Sequence, residues 1–280
     1  MEEYSISTSR IGDLGRLPTE LLLYIIAEAC ESQTIYRSLL LVNRHIHRLT
    51  KFDRLPFLPI RITANSARSF YQTLTDNPDV ASNVRYLWIN GTLELCATIA
   101  ASCPNLVSLA CDKIVLLHFF LTRRFPHKNL RELTLFNSLN CWIRLKFLDE
   151  HGALSPIARH RICHRITHLR IHDSLSPDFD PSIFPSLTHF SRSFRLPKQT
   201  HILDDVSILK PFPNLNNIVL TTFFWEDLPP DEKSVKLAKQ DDRIRILFFG
   251  KETSEFMLWS GRALGKECIW TKRHEMRHLT

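Results

Sequence analysis

The most chemically suggestive spacing in the chain is His274-Glu-Met-Arg-His278. Two imidazoles at i and i+4 share a helix face, and an intervening Glu can serve as base in a zinc hydrolase. Only Leu279 and Thr280 follow, where a third ligand is expected, so the segment reads as a solvated basic helix. A denser group is Arg159-His-Arg-Ile-Cys163-His164, followed by His168, Arg170 and His172. Strand alternation puts His168, Arg170 and His172 in one outward row. That row lacks a paired carboxylate or thiol ladder, so it suits an acidic or phosphorylated protein segment better than a metal. Gly261-Arg-Ala-Leu-Gly265-Lys266-Glu267 is one residue short of a P-loop and lacks the Ser/Thr that would hold magnesium. The chain has only seven glycines, no two adjacent, which works against any phosphate-cradling loop. No Ser/His/Asp or Cys/His arrangement follows from the spacing. The expectation is a non-catalytic protein with no metal and no cofactor.

Seven cysteines, an odd number without a Cys-x-x-Cys pair, read as reduced thiols in a cytosolic or nuclear protein. The N-terminal residues MEEYSISTSR are acidic and polar, unlike a signal peptide. The longest apolar run, Ile114 to Leu121, is too short to span a bilayer, so no membrane association is expected. The net charge is +7 over 280 residues, and 44% are apolar, enough for a substantial core. Most of the excess lies between Arg37 and Arg68: Arg37, Arg44, Arg48, Lys51, Arg54, Arg61 and Arg68 face one acid, Asp53. Such a run points to an acidic partner, protein or nucleic acid, or to a solvated helix face.

The elements that must position these residues are of two kinds. Pro18 and Glu20 suit the start of a helix in which Leu21, Ile25 and Ala29 share a face, widened by Leu22 and Ile26. After a polar break at 31–34, Leu39, Val42, Ile46 and Leu49 predict a second amphipathic helix. From Phe52 the texture changes. Leu58–Ile62 alternates like a strand, and a helix is expected over Ser66–Asp76. A unit apolar-x-x-apolar-x-apolar then recurs, starting at Val84, Leu106, Leu130, Ile166, Leu187, Leu215 and Ile244. Several copies share a lead-in: Cys103-Pro-Asn, Phe184-Pro-Ser and Phe212-Pro-Asn.

This is a leucine-rich-repeat rhythm without a fixed period. It predicts an irregular α/β solenoid. Parallel strands line the concave side, and helices such as Leu93–Ser102 and Ile114–Arg124 cover the convex side. An insertion is expected over 137–163, and capping helices over 255–280 at the open end. An ordinary α/β sheet is the rival. The residues expected to face outward on the concave side include Tyr86, Trp88, Ser108, Ala110, Glu132, Thr134, Phe136, His168, Arg170, His189, Ser191, Asn217, Val219, Ile246 and Phe248.

Residues 17–49 resemble an F-box, whose pattern is Leu-Pro-x-Glu-Leu-Leu-x-x-Ile, a short loop, and a run close to Leu-x-Leu-Val-x-Arg-x-Trp. The matching positions are Leu17, Pro18, Glu20, Leu21, Leu22, Ile25, Leu39, Leu41, Val42 and Arg44. Ala29 stands where a Leu is usual and Ile46 where the Trp is usual. With the repeats behind it, the chain resembles the fungal F-box proteins that carry leucine-rich-repeat-like C-terminal regions. The resemblance implies a tail (1–16), an F-box (17–52), a repeat domain (53–254) and capping helices (255–280).

It also implies a function. Such proteins dock on a Skp-type adaptor and act as substrate receptors of an SCF-type cullin–RING ubiquitin ligase, without an active site of their own. The F-box residues named above would bind the adaptor, with Arg44 and its basic neighbours facing an acidic surface. Tyr86, Trp88, Glu132, Thr134, Phe136, His168, Arg170, His172 and His189 would meet the substrate protein. Two alternatives stay open: a repeat-based binding module outside any ligase, and a nucleic-acid binder working through residues 37–68.

Overall fold

The computed structural model describes residues 17–30, 32–53, 55–122, 126–136, 162–172, 183–195, 209, 214–223, 241–250 and 252–272. The chain divides into two compact units, Met1–Leu55 and Pro56–Thr280.

Among its described residues the first unit holds three helices. They are α1 (Thr19–Ala29), α2 (Gln33–Leu40) and α3 (Arg44–Asp53). A single helix expected over Leu39–Leu49 is in fact two, and the break has a local cause. Leu41 and Val42 turn, and the Asn43 side chain accepts from the Ile46 amide at 2.8 Å, capping a new helix. Ser32 caps α2 in the same way through the Ile35 amide. Among the described side chains, Leu22, Ile26 and Ile46 of these helices and Cys30 at the end of α1 are buried.

The second unit is an α/β structure built on one eight-stranded sheet. The strands are β1 (Pro59–Ile62), β2 (Tyr86–Ile89), β3 (Ser108–Asp112), β4 (Glu132–Phe136), β5 (His168–Ile171), β6 (His189–Arg195), β7 (Asn217–Phe223) and β8 (Ile244–Phe249). Every pair is parallel, and the strands lie side by side in chain order. Helices α4 (Ala64–Asp76), α5 (Pro78–Asn83), α6 (Leu93–Ser102) and α7 (Lys113–Thr122) fall between the first strands. Helix α6 coincides with the sequence expectation, and α7 begins one residue earlier and ends two residues before it.

The recurrent apolar positions explain the order. Leu87 and Ile89, Leu109 and Cys111, Leu133 and Leu135, and Leu169 and Ile171 stack in register on one face, all buried. The first apolar residue of each copy, from Val84 through Leu106, Leu130, Ile166 and Leu187 to Leu215, is buried ahead of its strand. Arg192, in register with Ile171 and Leu220, is the charged exception in this row and is also buried.

The proline lead-in is an inter-repeat clamp. The side chain just before the first apolar residue donates to a carbonyl two residues before the corresponding position one copy earlier. Asn105 Nδ2 donates to Ser82 O at 2.8 Å, and Ser186 Oγ to His164 O at 2.6 Å. Asn214 Nδ2 donates to Pro185 O at 3.4 Å, and Arg165 Nη1 to Lys128 O at 3.2 Å.

The last copy corrects the sequence reading. Ile244, not Leu247, pairs with Ile218, so the strand is shifted by three residues from the expected frame. Side chains alternate along a strand, so a shift by an odd number of residues reverses the faces. Ile246 and Phe248, expected on the outer row, lie on the side of Leu220 and Thr222, while Leu247 and Phe249 take the opposite face. Residues 255–272 provide the other correction. Helix α8 (Glu255–Ala263) and the turns behind it lie across a face of the sheet rather than over its open end.

The clamp makes a test. Asn105→Ala removes one amide-to-carbonyl bond and should destabilise the second unit by about 1 kcal/mol, read as a lower urea midpoint at unchanged slope. A wild-type midpoint would assign no stabilising part to the lead-in.

Candidate functional site

The face of the sheet opposite the apolar row carries the residues singled out for chemistry. Across the strands one line runs Tyr86, Ser108, Glu132, His168, His189, Asn217, and the next runs Trp88, Ala110, Thr134, Arg170, Ser191, Val219. Strand pairing therefore assembles, from β2 to β7, what is scattered over 130 residues of sequence. The expectation that these side chains form an open concave surface is corrected. Trp88, Glu132, Thr134 and Arg170 are buried, and Tyr86, Phe136, His168, His172 and His189 are half-buried. The cause is the chain's own C-terminal segment, which covers the row from β1 to β8.

The cover makes three anchored contacts. At the first, Phe256 and Trp259 of α8 join Trp88, whose ring lies 5.7 and 5.6 Å from theirs; Phe136 is 4.5 Å away on the other side. The Trp259 indole donates to Ser108 Oγ at 2.9 Å, and the Arg61 guanidinium lies over the Phe256 ring. At the second, Arg170 meets Glu255. Its Nε and Nη2 donate to Glu255 Oε2 at 3.0 and 2.6 Å. Its Nη1 donates to Ser191 Oγ, and Nη2 also donates to Thr221 Oγ1. Arg170 is only 2% exposed, so this pairing is what keeps a cation stable there. Burial pushes the Glu255 carboxyl up, but Arg170 and then His172 outweigh it and hold it below the usual carboxylate range.

At the third contact, Trp270 stands edge-on over the stacked rings of His168 and His189, which are 4.1 Å apart. Its indole donates to Glu132 Oε1 at 3.0 Å. Burial pushes the Glu132 carboxyl up, against the pull of Arg262. The two histidines are held alike: Thr167 Oγ1 hydrogen-bonds His168 Nδ1 at 2.9 Å, and Thr188 Oγ1 bonds His189 Nδ1 at 2.8 Å. Burial, Arg262 and the neighbouring His189 push the His168 imidazole down to about 3, and His189 is lowered by burial and nearby arginines. Both rings are therefore neutral near pH 7. Beyond Trp270, Arg245 on β8 grips the returning chain, donating to the carbonyls of Lys272 at 2.7 Å and Trp270 at 2.8 Å.

Two of the few glycines make the return possible. A Cβ on Gly261 would sit 2.7 Å from the Glu267 carbonyl oxygen, and Gly265 has φ +66°. Gly261 has no room for a side chain, and Gly265 takes a left-handed backbone conformation that favours glycine. The near P-loop at Gly261–Glu267 is thus the bend that folds the segment back on itself.

The F-box-like residues are sorted differently. Leu22 is 3% exposed, whereas Leu21 and Ile25 are 51% and 50% exposed, and Leu41 and Val42 are 85% and 53%. Leu17, Pro18, Glu20 and Arg44 are exposed, and Leu39 is half-buried. Beside Leu41 a groove is lined by Leu40, Leu41, Asn43, Arg44, His47, Arg48 and Lys51. The basic run of residues 37–68 is divided: Arg37, Arg44, Arg48 and Lys51 belong to the first unit, Arg61 and Arg68 to the second, and Arg54 lies outside the described residues.

No protein-family model and no curated protein matches this chain. The chemistry of its side chains is therefore the guide to function. Among the described residues no group of three or more His, Cys, Asp or Glu could hold a metal ion. His274–His278, Arg159 and most of the expected insertion at 137–163 lie outside the described residues. All six described cysteines are buried. Burial pushes the Cys103 and Cys163 thiols up to about 12 and Cys96 to about 11, opposite to an activated nucleophile. No described helix is long and apolar enough to cross a membrane. What the sequence reading missed was Glu255, Phe256, Trp259, Arg262 and Trp270. Their aromatic and charged types at the end of the chain were visible, but the face they meet was set by tertiary packing.

The neutral histidines predict a pH dependence. His168 titrates near 6.5 when unfolded and about 3 when folded, so the unfolded chain gains the proton first. Stability is lost as pH falls from 6.5 towards 3, by about 2 kcal/mol at pH 5 from this residue. Glu132, raised in the fold, acts in the opposite sense. The measurement is therefore the difference between wild type and His168→Asn: urea unfolding at pH 7 and pH 5 should show a smaller loss in the variant. Equal losses would mean that His168 is protonated within the fold.

Proposed function

We propose that the chain is an F-box-type substrate receptor of an SCF ubiquitin ligase, non-catalytic itself, acting in the cytosol or nucleus. Its N-terminal unit docks a Skp-type adaptor, and its parallel sheet is a leucine-rich-repeat-like solenoid that serves substrate recognition. The observation that carries the reading is the sorting of the motif's apolar residues. Leu22, Ile26 and Ile46 are inside, while Leu17, Leu21, Ile25, Leu41 and Val42 stand exposed on so small a unit. Exposed apolar side chains gathered in this way mark a surface that is normally covered by a partner. Tyr24 and Ile35 extend the same exposed set.

Charge supports the same partner. The exposed bases Arg37, Arg44 and Arg48 flank the apolar residues, and they suit an adaptor whose facing surface is acidic. Ile46, the departure from the usual Trp, is one of the buried residues. It fills the interior of the unit and leaves the exposed set intact.

The test is capture of recombinant Skp-type adaptor by the full-length chain. Burying a Leu or Ile at an interface contributes about 1.5–3 kcal/mol, so Leu21→Ala/Ile25→Ala should weaken binding about a hundredfold or more. The variant should unfold at the wild-type midpoint, because both side chains are solvated in the free protein. No adaptor binding by wild type, or unchanged binding by the variant, would refute the docking role.

A further inference from the structure

We infer that the face around Arg170 is a receptor for an acidic–aromatic helical segment, and that residues 255–272 occupy it as an intramolecular ligand. The two faces of the sheet are covered by different chemistry. The row under the helices is Leu, Ile, Cys and Phe, with Arg192 the charged exception, and the copies supply it locally. The row under residues 255–272 is Trp88, Tyr86, His168, His189, Arg170 and Glu132. The cover answers it with Glu255, Phe256, Trp259, Arg262 and Trp270. Contacts rich in Trp, Tyr and Arg are the make-up of protein–protein interfaces more than of domain interiors.

The Arg170 pocket is built for an anion. The guanidinium is fixed from behind by the Ser191 and Thr221 hydroxyls and presents two donors to one carboxylate oxygen. His172 Nε2 lies 3.3 Å from the same oxygen. One residue on, Phe256 reaches the Trp88 ring, and three further on Trp259 reaches Ser108. The face therefore reads an acid followed by aromatics at the next position and at i+4 of a helix. A partner segment with that spacing fits the same contacts.

The way the occupant is attached suits exchange. The segment leaves β8 at Phe249, crosses to Arg170 on β5 and Arg61 on β1, bends at Gly261 and Gly265, and returns to β7 and β8. Both ends of the excursion are held at one edge of the sheet, by continuity with β8 and by Arg245. Residues 255–263 can lift from β1–β5 without breaking a strand pairing. A buried ion pair such as Arg170–Glu255 fixes register more than it adds net stability, so the contact selects its occupant without making it permanent. This inference does not depend on adaptor docking, because none of its residues lies in the first unit.

Two measurements on the full-length chain test it. In wild type, hydrogen exchange of amides 255–263 should proceed about tenfold or more faster than that of β3–β5, through an opening that leaves the sheet intact. Equal protection of the segment and the strands overturns the inference. In Glu255→Arg, the like charge opposite Arg170 should release the segment. The variant should keep cooperative unfolding and bind a fluorescent peptide of residues 252–272 about tenfold or more tighter than wild type does. The same peptide carrying Glu255→Arg should not bind. A variant that fails to capture the peptide, or that loses its cooperative transition, makes the segment an integral layer of the domain and overturns the inference.

Discussion

In a parallel sheet whose strands follow one another in chain order, right-handed crossovers all fall on one side, so an apolar opposite face needs a different cover. Much of what is distinctive in the second unit answers that constraint. Leucine-like positions recurring in each copy join the helices to one face. The opposite face has no helix of its own among the described crossovers, and the segment after β8 turns back to supply the cover. The bend glycines, the Arg245 grip on the returning carbonyls and the indole hydrogen bonds all follow from the need to lay residues 255–272 over eight strands.

That cover explains why the polar residues of the row tolerate burial. Glu132 is matched by an indole N–H and faces Arg262, and Arg170 by a carboxylate and two hydroxyls. The stacked imidazoles are kept neutral under Trp270. Each group is costly to bury alone and acceptable only with its partner in place. The network therefore specifies how the segment lies more than it adds to stability. On the first unit the balance is reversed: apolar side chains that a fold would normally hide are left in water, and the bases beside them face outward.

Much of this architecture was legible from the chain. The repeat copies located seven of the eight strands, and the alternating Leu58–Ile62 segment located the remaining one. The lead-in Pro-Asn or Pro-Ser carried a signal whose meaning, a hydrogen bond to the preceding copy, needed coordinates. Local pattern failed in particular places for particular reasons. At Ile244–Phe249 nearly every residue is apolar, so the sequence contains no alternation to set the register, and the frame read from it was three residues off. At Leu41–Asn43 the cap that divides α2 from α3 was hidden inside an apparently continuous amphipathic stripe. The outer row was identified residue by residue, yet its burial was invisible, because the cover is remote in sequence. Within the F-box-like segment, the run Leu21–Ile26, rich in leucine and isoleucine, gave no means of separating Leu21 and Ile25 from Leu22 and Ile26.

The clamps between copies join residues some twenty to forty positions apart, whereas Trp259 bonds Ser108 across 151 residues and Trp270 bonds Glu132 across 138. Assembly of the sheet can thus advance one strand at a time through short loop closures, each with a modest entropic cost. Laying down the final segment is a different event, since its docking surface spans all eight strands and is complete only when the last of them is paired. The connectivity thus holds two kinds of contact: short closures that join neighbouring strands, and one remote layer that reaches across all of them.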